Sequence, residues 1–250
     1  MTGIIELHGA NFFHREATIT RDPKVARWFL EHGAKPRKQA PGTEDLSPQN
    51  IAVRYSTPEI MKVLFDAGGD PKKGTLLHAA ATFDRLEMVE FLVESGADIN
   101  AAYVKPGDKY YEWCKLGSSG GRTPVGPPLY TAIHFRRPGV VKLLLKLGAD
   151  ASIKEVHGRT VVEYARQIFE NTVISHEARL DQVHASLGIT ADSPYHSVQV
   201  PYRSPEQYAA DRAHSEEIVG LLEDHAKEQT ALIEKLLLAD KEMMCVRSRL

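Results

Sequence analysis

The stretch TLLHAAATFDRLEMVEFLVESGADIN, residues 75–100, specifies the architecture because other parts of the chain repeat its pattern. Four segments close on a similar glycine motif: HGAKP at 32–36, AGGDP at 67–71, SGADI at 95–99 and LGADA at 147–151. Counted backwards from the first glycine of each motif, the same residue types recur at the same offsets without a gap. Self-similarity of this kind indicates a repeat protein.

The offsets predict an amphipathic helix in front of each glycine. The residues three to five positions before the glycine are always apolar, as in Phe91–Val93. The residues two and six positions before it are always charged, as in Glu94 and Glu90. Apolar and charged residues that alternate at a spacing of three to four are typical of a helix with one buried side.

Both ends of this helix carry sequence signals. Proline stands at the first helical position in three copies: Asp22-Pro23, Thr57-Pro58 and Arg137-Pro138. The missing N–H of proline costs nothing at that position, and we expect the side chains of Asp22 and Thr57 to cap their helices. The glycine at the far end suits the left-handed residue that terminates many helices.

A shorter helix precedes each amphipathic one and opens at SPQNIAV (47–53), TLLHAAA (75–81) and PPLYTAI (127–133). The unit of helix, tight turn, helix, glycine and hairpin-like connection resembles the ankyrin repeat. The consensus of that family begins T-P-L-H-x-A-A and closes on G-A-D, and residues 75–100 are the best match within the chain. The resemblance implies an all-α solenoid of helix–turn–helix repeats with hairpin loops, and a structural role for His78.

The repeat register predicts how the chain is divided. We expect an array over residues 1–226, with repeats near 12–36, 47–71, 75–99, 127–151, 160–188 and 204–226. Residues 227–250 continue as a helix with apolar residues on one side, which we interpret as a cap on the array. A helix that binds a partner or dimerises is the alternative.

One connection is much longer than the others. Gly96 and Gly148 are 52 residues apart, about 19 more than the usual repeat of about 33. The excess falls in residues 101–126, here called the finger loop. Its large aromatic residues are Tyr103, Tyr110, Tyr111 and Trp113. Such residues are enriched in binding hot spots, although they could also fold back and cover the adjacent repeats.

A second group of aromatic residues occupies the position thirteen before the glycine. That position holds Tyr55, Phe83 and Phe135, and in ankyrin folds it faces the concave groove. We expect these three residues, here called the aromatic column, to form a stripe with a polar border. The border consists of Arg54, His134, Arg136 and Arg137. An apolar centre with a polar rim is typical of an interface; rings covered by the next repeat are the alternative.

Composition disfavours several classes of function. The formal net charge is −2 and the sequence pI is about 6.6, so generic binding to nucleic acid or to an anionic membrane is not expected. No apolar run approaches 18 residues, and the first residues do not resemble a signal peptide. The two cysteines, Cys114 and Cys245, favour a reducing compartment, cytoplasmic or nuclear.

The sequence contains no clear pattern for metal binding, phosphate binding or catalysis. The chain has eleven histidines, but no pair of histidines or cysteines has the spacing of a zinc site. Residues 118–121, SSGG, lack the lysine that follows in a phosphate-binding loop. We therefore expect no metal, no cofactor and no catalytic residues, and the sequence does not favour an enzyme.

The expected function is recognition of another protein. The concave groove and the finger loop would bind that protein together. The alternative is a pocket between the finger loop and the groove that binds a small molecule or supports an unusual enzymatic activity. A passive structural spacer is a third possibility, and it predicts that the aromatic residues are packed away.

Overall fold

The structure, a computed structural model, describes residues 22–32, 48–72, 75–102, 126–173 and 205–247. The regular elements of these residues are all helices. They are α1 Pro23–Glu31, α2 Pro48–Tyr55, α3 Pro58–Asp66, α4 Thr75–Thr82, α5 Leu86–Glu94, α6 Pro128–His134, α7 Pro138–Lys146, α8 Val161–Val173 and α9 Pro205–Arg247. The chain divides into two compact units, residues 1–161 and residues 162–250.

The first unit is built from helix–turn–helix repeats whose helices form two rows. The first helices of the repeats, α2, α4 and α6, pack side by side, and the second helices, α1, α3, α5 and α7, form the other row. The predicted repeats at 47–71, 75–99 and 127–151 each contain one helix pair. The repeat near 12–36 contributes α1, and its first half lies outside the described residues. The all-α solenoid is therefore confirmed here.

The core lies where the register places it. The alanine sixteen positions before the glycine is buried in three repeats, as Ala52, Ala80 and Ala132. Its small side chain allows neighbouring first helices to approach. The leucine four positions before the glycine is fully buried in the same repeats, as Leu64, Leu92 and Leu144. Each such leucine contributes about 1.5–3 kcal/mol of hydrophobic stabilisation.

The helix ends agree with the sequence signals in all but one case. The backbone N–H of Lys24 donates to the carboxylate of Asp22 at 2.8 Å, so Asp22 caps α1. Thr57 makes no such bond to α3, and the predicted cap is wrong. Its hydroxyl instead bonds to Glu59, and this bond holds the pKa of that carboxyl below its usual value.

The glycines that end α3, α5 and α7 are left-handed, as predicted. Gly68, Gly96 and Gly148 have φ angles of 93°, 89° and 91°. In each copy the N–H of the residue after the glycine donates to a carbonyl of the last helical turn, with N···O distances of 2.9 Å. These bonds satisfy carbonyls that the helix end would otherwise leave without a donor.

Buried polar side chains, here called the polar column, connect each repeat to the segment that follows it, which is either a loop or the start of the next helix. Asn50, His78 and Tyr130 occupy the position eighteen before the glycine and are 5%, 3% and 1% exposed. The Nε2–H of His78 donates to the Gly126 carbonyl at 2.9 Å. The hydroxyl of Tyr130 lies 2.8 Å from the Ile153 carbonyl and 2.9 Å from the Arg159 carbonyl. Asn50 lies within 3.5 Å of the Thr75 hydroxyl.

Three of the four closing motifs carry an aspartate that shapes the connection after the glycine. Asp70, Asp98 and Asp150 each accept a hydrogen bond from the backbone N–H two residues later, at 3.1, 2.9 and 2.8 Å. A side chain that mimics a backbone turn in this way is an Asx turn. The aspartate therefore recurs because it fixes the start of the loop.

The second unit differs from the predicted division. α9 runs through 43 residues without a break, so residues 204–226 do not form the expected two-helix repeat, whereas the helix continues past residue 227 as expected. The segment between residues 206 and 219 contains no proline or glycine, whereas proline starts the second helix at Pro58 and Pro138. Ser215 bonds back to the Asp211 carbonyl within the helix. The capping role stays a prediction.

The remaining part of this unit is α8, which begins the predicted repeat at 160–188. Tyr164, Ala165, Ile218 and Leu222 are buried. The guanidinium of Arg166 forms an ion pair with the Glu223 carboxylate at 2.7 Å. The second helix predicted for this repeat lies outside the described residues.

Candidate functional site

The aromatic column lies at the turn between the two helices of each repeat. Tyr55 is the last residue of α2, while Phe83 and Phe135 directly follow α4 and α6. Each turn is fixed by a backbone hydrogen bond into the first helix, from Ser56, Phe83 or Phe135. Tyr55 is 44% exposed, and the two phenylalanines are half-buried. The Tyr55 ring is therefore open to solvent, and the two phenylalanine rings keep part of their surface accessible and are not fully buried.

Arg54 connects two of the three rings. Its guanidinium carbon lies 4.8 Å from the centre of the Tyr55 ring and 4.2 Å from the centre of the Phe83 ring. Both distances are in the range of a cation–π interaction. Tyr55 and Phe83 belong to neighbouring repeats, so the arginine we expected at the border lies between two rings. Arg54 therefore belongs to the centre of the aromatic column and not to its border.

Phe135 has a different neighbour. Its ring meets the imidazole of His134 edge to face, with centres 5.0 Å apart and an interplanar angle of 78°. Within residues 48–72, 75–102 and 126–173 there is no ring-to-ring contact among Tyr55, Phe83 and Phe135. The aromatic column is thus a series of separate rings with polar groups between them.

Two arginines in this region serve the solenoid itself. Arg85 and Arg137 occupy the same register position, eleven before the glycine. Arg85 donates to the Arg54 carbonyl at 3.2 Å and to the Ser56 carbonyl. Arg137 Nε donates to the Thr82 carbonyl at 3.2 Å. Each guanidinium therefore binds the carboxyl end of the first helix in the preceding repeat, where a cation is stabilising.

These contacts revise the predicted border. Arg137 was expected to face a partner, but its Nε bonds to the preceding repeat. The sequence reasoning missed Arg85 altogether. The available signal was the recurrence of arginine at one register position in two adjacent repeats.

Arg136 and His134 lie beside Phe135 in the same turn. Arg136 has a φ angle of 56°, and Asp84 has the same value at the equivalent position of the preceding repeat. Left-handed backbone costs an arginine more than it costs an aspartate. Burial, and then the positive charge of Arg136, lower the pKa of His134 below its usual value of 6.5. His134 is therefore largely neutral at pH 7 and offers a hydrogen bond instead of a charge.

The predicted finger residues Tyr103, Tyr110, Tyr111 and Trp113 lie outside the described residues, as does any pocket beneath them. The described residues at each end of the finger loop are bonded to the array. Asn100 Oδ1 accepts from the Asp150 N–H at 2.9 Å, and the Gly126 carbonyl accepts from His78. The positions from which the loop leaves and returns are therefore set by the repeats on either side.

The described residues contain no group of three histidine, cysteine, aspartate or glutamate side chains that could hold a metal ion. No helix in the part of the chain that the structure describes is both long and apolar enough to cross a bilayer.

Comparison with known proteins agrees with the fold. Family models described as ankyrin repeats match residues 13–103, with three copies, and residues 77–145, with many copies. The chain belongs to the ankyrin-repeat family. Ankyrin repeats are generally protein–protein interaction modules and typically bind other proteins.

Three curated relatives illustrate how widely the fold is used. The chain is 29% identical over 167 residues to the E3 ubiquitin-protein ligase Ufd4 of Drosophila melanogaster, covering 64% of this chain and 5% of that protein. It is 30% identical over 154 residues to the transient receptor potential cation channel subfamily A member 1 of the same species, covering 57% and 11%. It is 28% identical over 177 residues to the human B-cell lymphoma 3 protein, covering 60% and 38%. In each case the matched region is well under two thirds of the relative.

Proposed function

We propose that this chain captures a partner protein in the groove formed by the turns of its central repeats. Tyr55, Phe83 and Phe135 would supply apolar contact, and Arg54, His134 and Arg136 would orient polar groups of the partner. The finger loop, with its four large aromatic residues, would close over the bound segment. The observation that carries the proposal is the solvent exposure of aromatic residues at one repeated register position.

The chemistry of this surface supports recognition of a protein. Tyrosine, tryptophan and arginine are the residues most enriched among those that dominate binding affinity. Full burial of an aromatic side chain is worth about 1.5–3 kcal/mol, and half-buried rings can still gain part of that amount. Several such rings together can offset the cost of association. A cytoplasmic or nuclear location belongs to the same proposal, and rests on the use of cysteine.

Quantitative affinity purification from a native lysate tests the proposal. The wild-type chain is compared with Phe83→Ala/Phe135→Ala and with a chain that lacks residues 104–121. The matched control is Phe65→Ala/Phe91→Ala, which removes two half-buried phenylalanines of α3 and α5 whose rings stack with centres 5.9 Å apart. Circular dichroism and thermal melting verify that each variant is folded.

We expect proteins that bind the wild type and the control to be lost from the groove variant, and to be reduced by the finger deletion. Retention of every specific protein by the groove variant would show that binding occurs elsewhere. The absence of any protein enriched by the wild type would contradict an interaction role in that lysate.

A further inference from the structure

The charged side chain that lies between the rings of Tyr55 and Phe83 is Arg54, and it has no counterion among the described residues. Arg54 is exposed. Across the described residues no carboxylate forms an ion pair with it, and no oxygen accepts a hydrogen bond from its guanidinium. We infer that the partner presents a carboxylate to Arg54 from a short acidic segment with an apolar residue beside it. This inference rests on the proposed function and specifies its partner.

The position of Arg54 is restricted from two sides. The rings of Tyr55 and Phe83 lie 4.8 and 4.2 Å from its guanidinium carbon. The guanidinium of Arg85 holds the Arg54 carbonyl at 3.2 Å, which fixes the backbone beneath it. A pre-positioned guanidinium loses less side-chain entropy when it binds, and its planar donor groups match a carboxylate in bidentate geometry.

The charges around Arg54 favour an anionic partner. Residues 54–57, 82–85 and 134–137 form three equivalent turns and together contain four arginines and one aspartate. The chain as a whole has a formal net charge of −2, so this excess of positive charge is local. Arg85 and Arg137 bond to backbone carbonyls, but those neutral acceptors do not cancel their charge. A concentrated positive field speeds the association of an acidic partner and suppresses basic ones.

The same arrangement favours a peptide over a nucleic acid. A polyanion needs a continuous basic surface, because its affinity grows with the number of phosphates that are neutralised. Here the four arginines belong to the three turns, and Arg54 lies between the apolar rings of Tyr55 and Phe83. An acidic residue next to an apolar residue fits this alternation, because the carboxylate can reach Arg54 while the apolar side chain covers Tyr55 or Phe83.

Selection from a library of short random peptides displayed on phage provides a defined probe. The library is passed over the immobilised full-length chain, and bound peptides are sequenced, synthesised and measured by fluorescence anisotropy. Arg54→Met keeps the length of the side chain and removes its charge. Arg54→Lys keeps the charge and removes the planar donor group. Arg27→Met is the matched control, because Arg27 is an exposed arginine of α1.

We expect the selected peptides to be enriched in aspartate and glutamate beside apolar residues. Arg54→Met should weaken their binding about ten-fold or more, as expected when a charge-assisted hydrogen bond is removed. Arg54→Lys should lie between the two, and Arg27→Met should match the wild type. Raising the salt concentration should weaken wild-type binding more than binding by Arg54→Met.

Three outcomes would overturn the inference, and they can be distinguished. If selected peptides lose affinity in Phe83→Ala but not in Arg54→Met, the groove binds peptides without using this carboxylate contact. If the selected peptides show no excess of acidic residues, the charge argument is wrong. If no peptide is recovered, or if Phe83→Ala and Arg54→Met both bind the selected peptides as tightly as the wild type does, the proposed groove function fails as well. Selective binding of a short single-stranded DNA probe in place of the peptides would assign the site to a nucleic acid.

Discussion

The polar column and the aromatic column invert the usual distribution of residues in opposite directions. Asn50, His78 and Tyr130 carry polar groups but are buried. Tyr55, Phe83 and Phe135 carry large rings, yet Tyr55 is exposed and the two phenylalanines are only half-buried. The two columns are only five register positions apart in the same three repeats. The two columns therefore differ in the role of their side chains, although they lie close together in the sequence.

Hydrogen-bond partners explain the difference. The buried groups of the polar column bond within the solenoid, to the loop after their repeat or to the start of the next helix. A buried polar group that is satisfied in this way stabilises one structure, whereas an unsatisfied one is costly. The rings of the aromatic column have apolar surface that the array leaves uncovered. One column maintains the repeats, and the other is available to a partner.

The largest difference between the columns is expected from removal of one hydroxyl. Tyr130→Phe removes the hydroxyl donor from the Ile153 carbonyl and from the Arg159 carbonyl, of which the latter still accepts from the Glu155 N–H, and should lower the free energy of unfolding by about 1–3 kcal/mol. Tyr55→Phe makes the same chemical change at an exposed position and should alter it by less than about 0.5 kcal/mol. Urea denaturation followed by circular dichroism measures both. Equal losses in the two variants would remove the distinction between the columns.

A smaller effect is expected where a buried polar group is not satisfied. Gln49 is 1% exposed, and its Nε2 has no hydrogen-bond partner among the described residues. Leu77 and Leu129 occupy the equivalent position of the next two repeats. Gln49→Leu should therefore raise the free energy of unfolding by about 1 kcal/mol. The reverse change, Leu77→Gln, should destabilise the chain, and destabilisation by both changes would indicate that Gln49 has a satisfied role.

The smallest effect concerns pH. The pKa of His134 is lower in the folded chain than its ordinary value of 6.5, so the unfolded chain binds more protons in that range. Stability from this group is then complete above pH 6.5 and is lost as the pH falls from there towards the folded pKa. His134→Gln should flatten the loss of the urea midpoint between about pH 7 and about pH 5. The same slope in both proteins would contradict the burial of this imidazole.

The fold and the core could be predicted because they follow from local spacing. The alanine, the leucine and the glycine each recur at a fixed offset, and the structure places Ala80, Leu92 and Gly96 accordingly. The aromatic column was found in the same way, since Tyr55, Phe83 and Phe135 share one offset.

Contacts between repeats could not be predicted, because they depend on where backbone carbonyls lie in space. Arg85 and Arg137 look like surface cations in the sequence, but each bonds to the end of a helix in the preceding repeat. Arg54 looks like a border residue, but it stacks on rings from two repeats. The break expected within residues 204–226 falls in a segment, 206–219, that has no proline or glycine to end a helix, and α9 continues through it.

The central claim is that the aromatic column contributes to binding and not to the stability of the array. Urea unfolding of Phe83→Ala/Phe135→Ala, compared with the wild type, tests it most directly. We predict a combined loss below about 2 kcal/mol, because both rings are only half-buried. A loss of about 6 kcal/mol or more, as expected for two phenylalanines of a core, would show that these rings belong to the interior and would contradict the account.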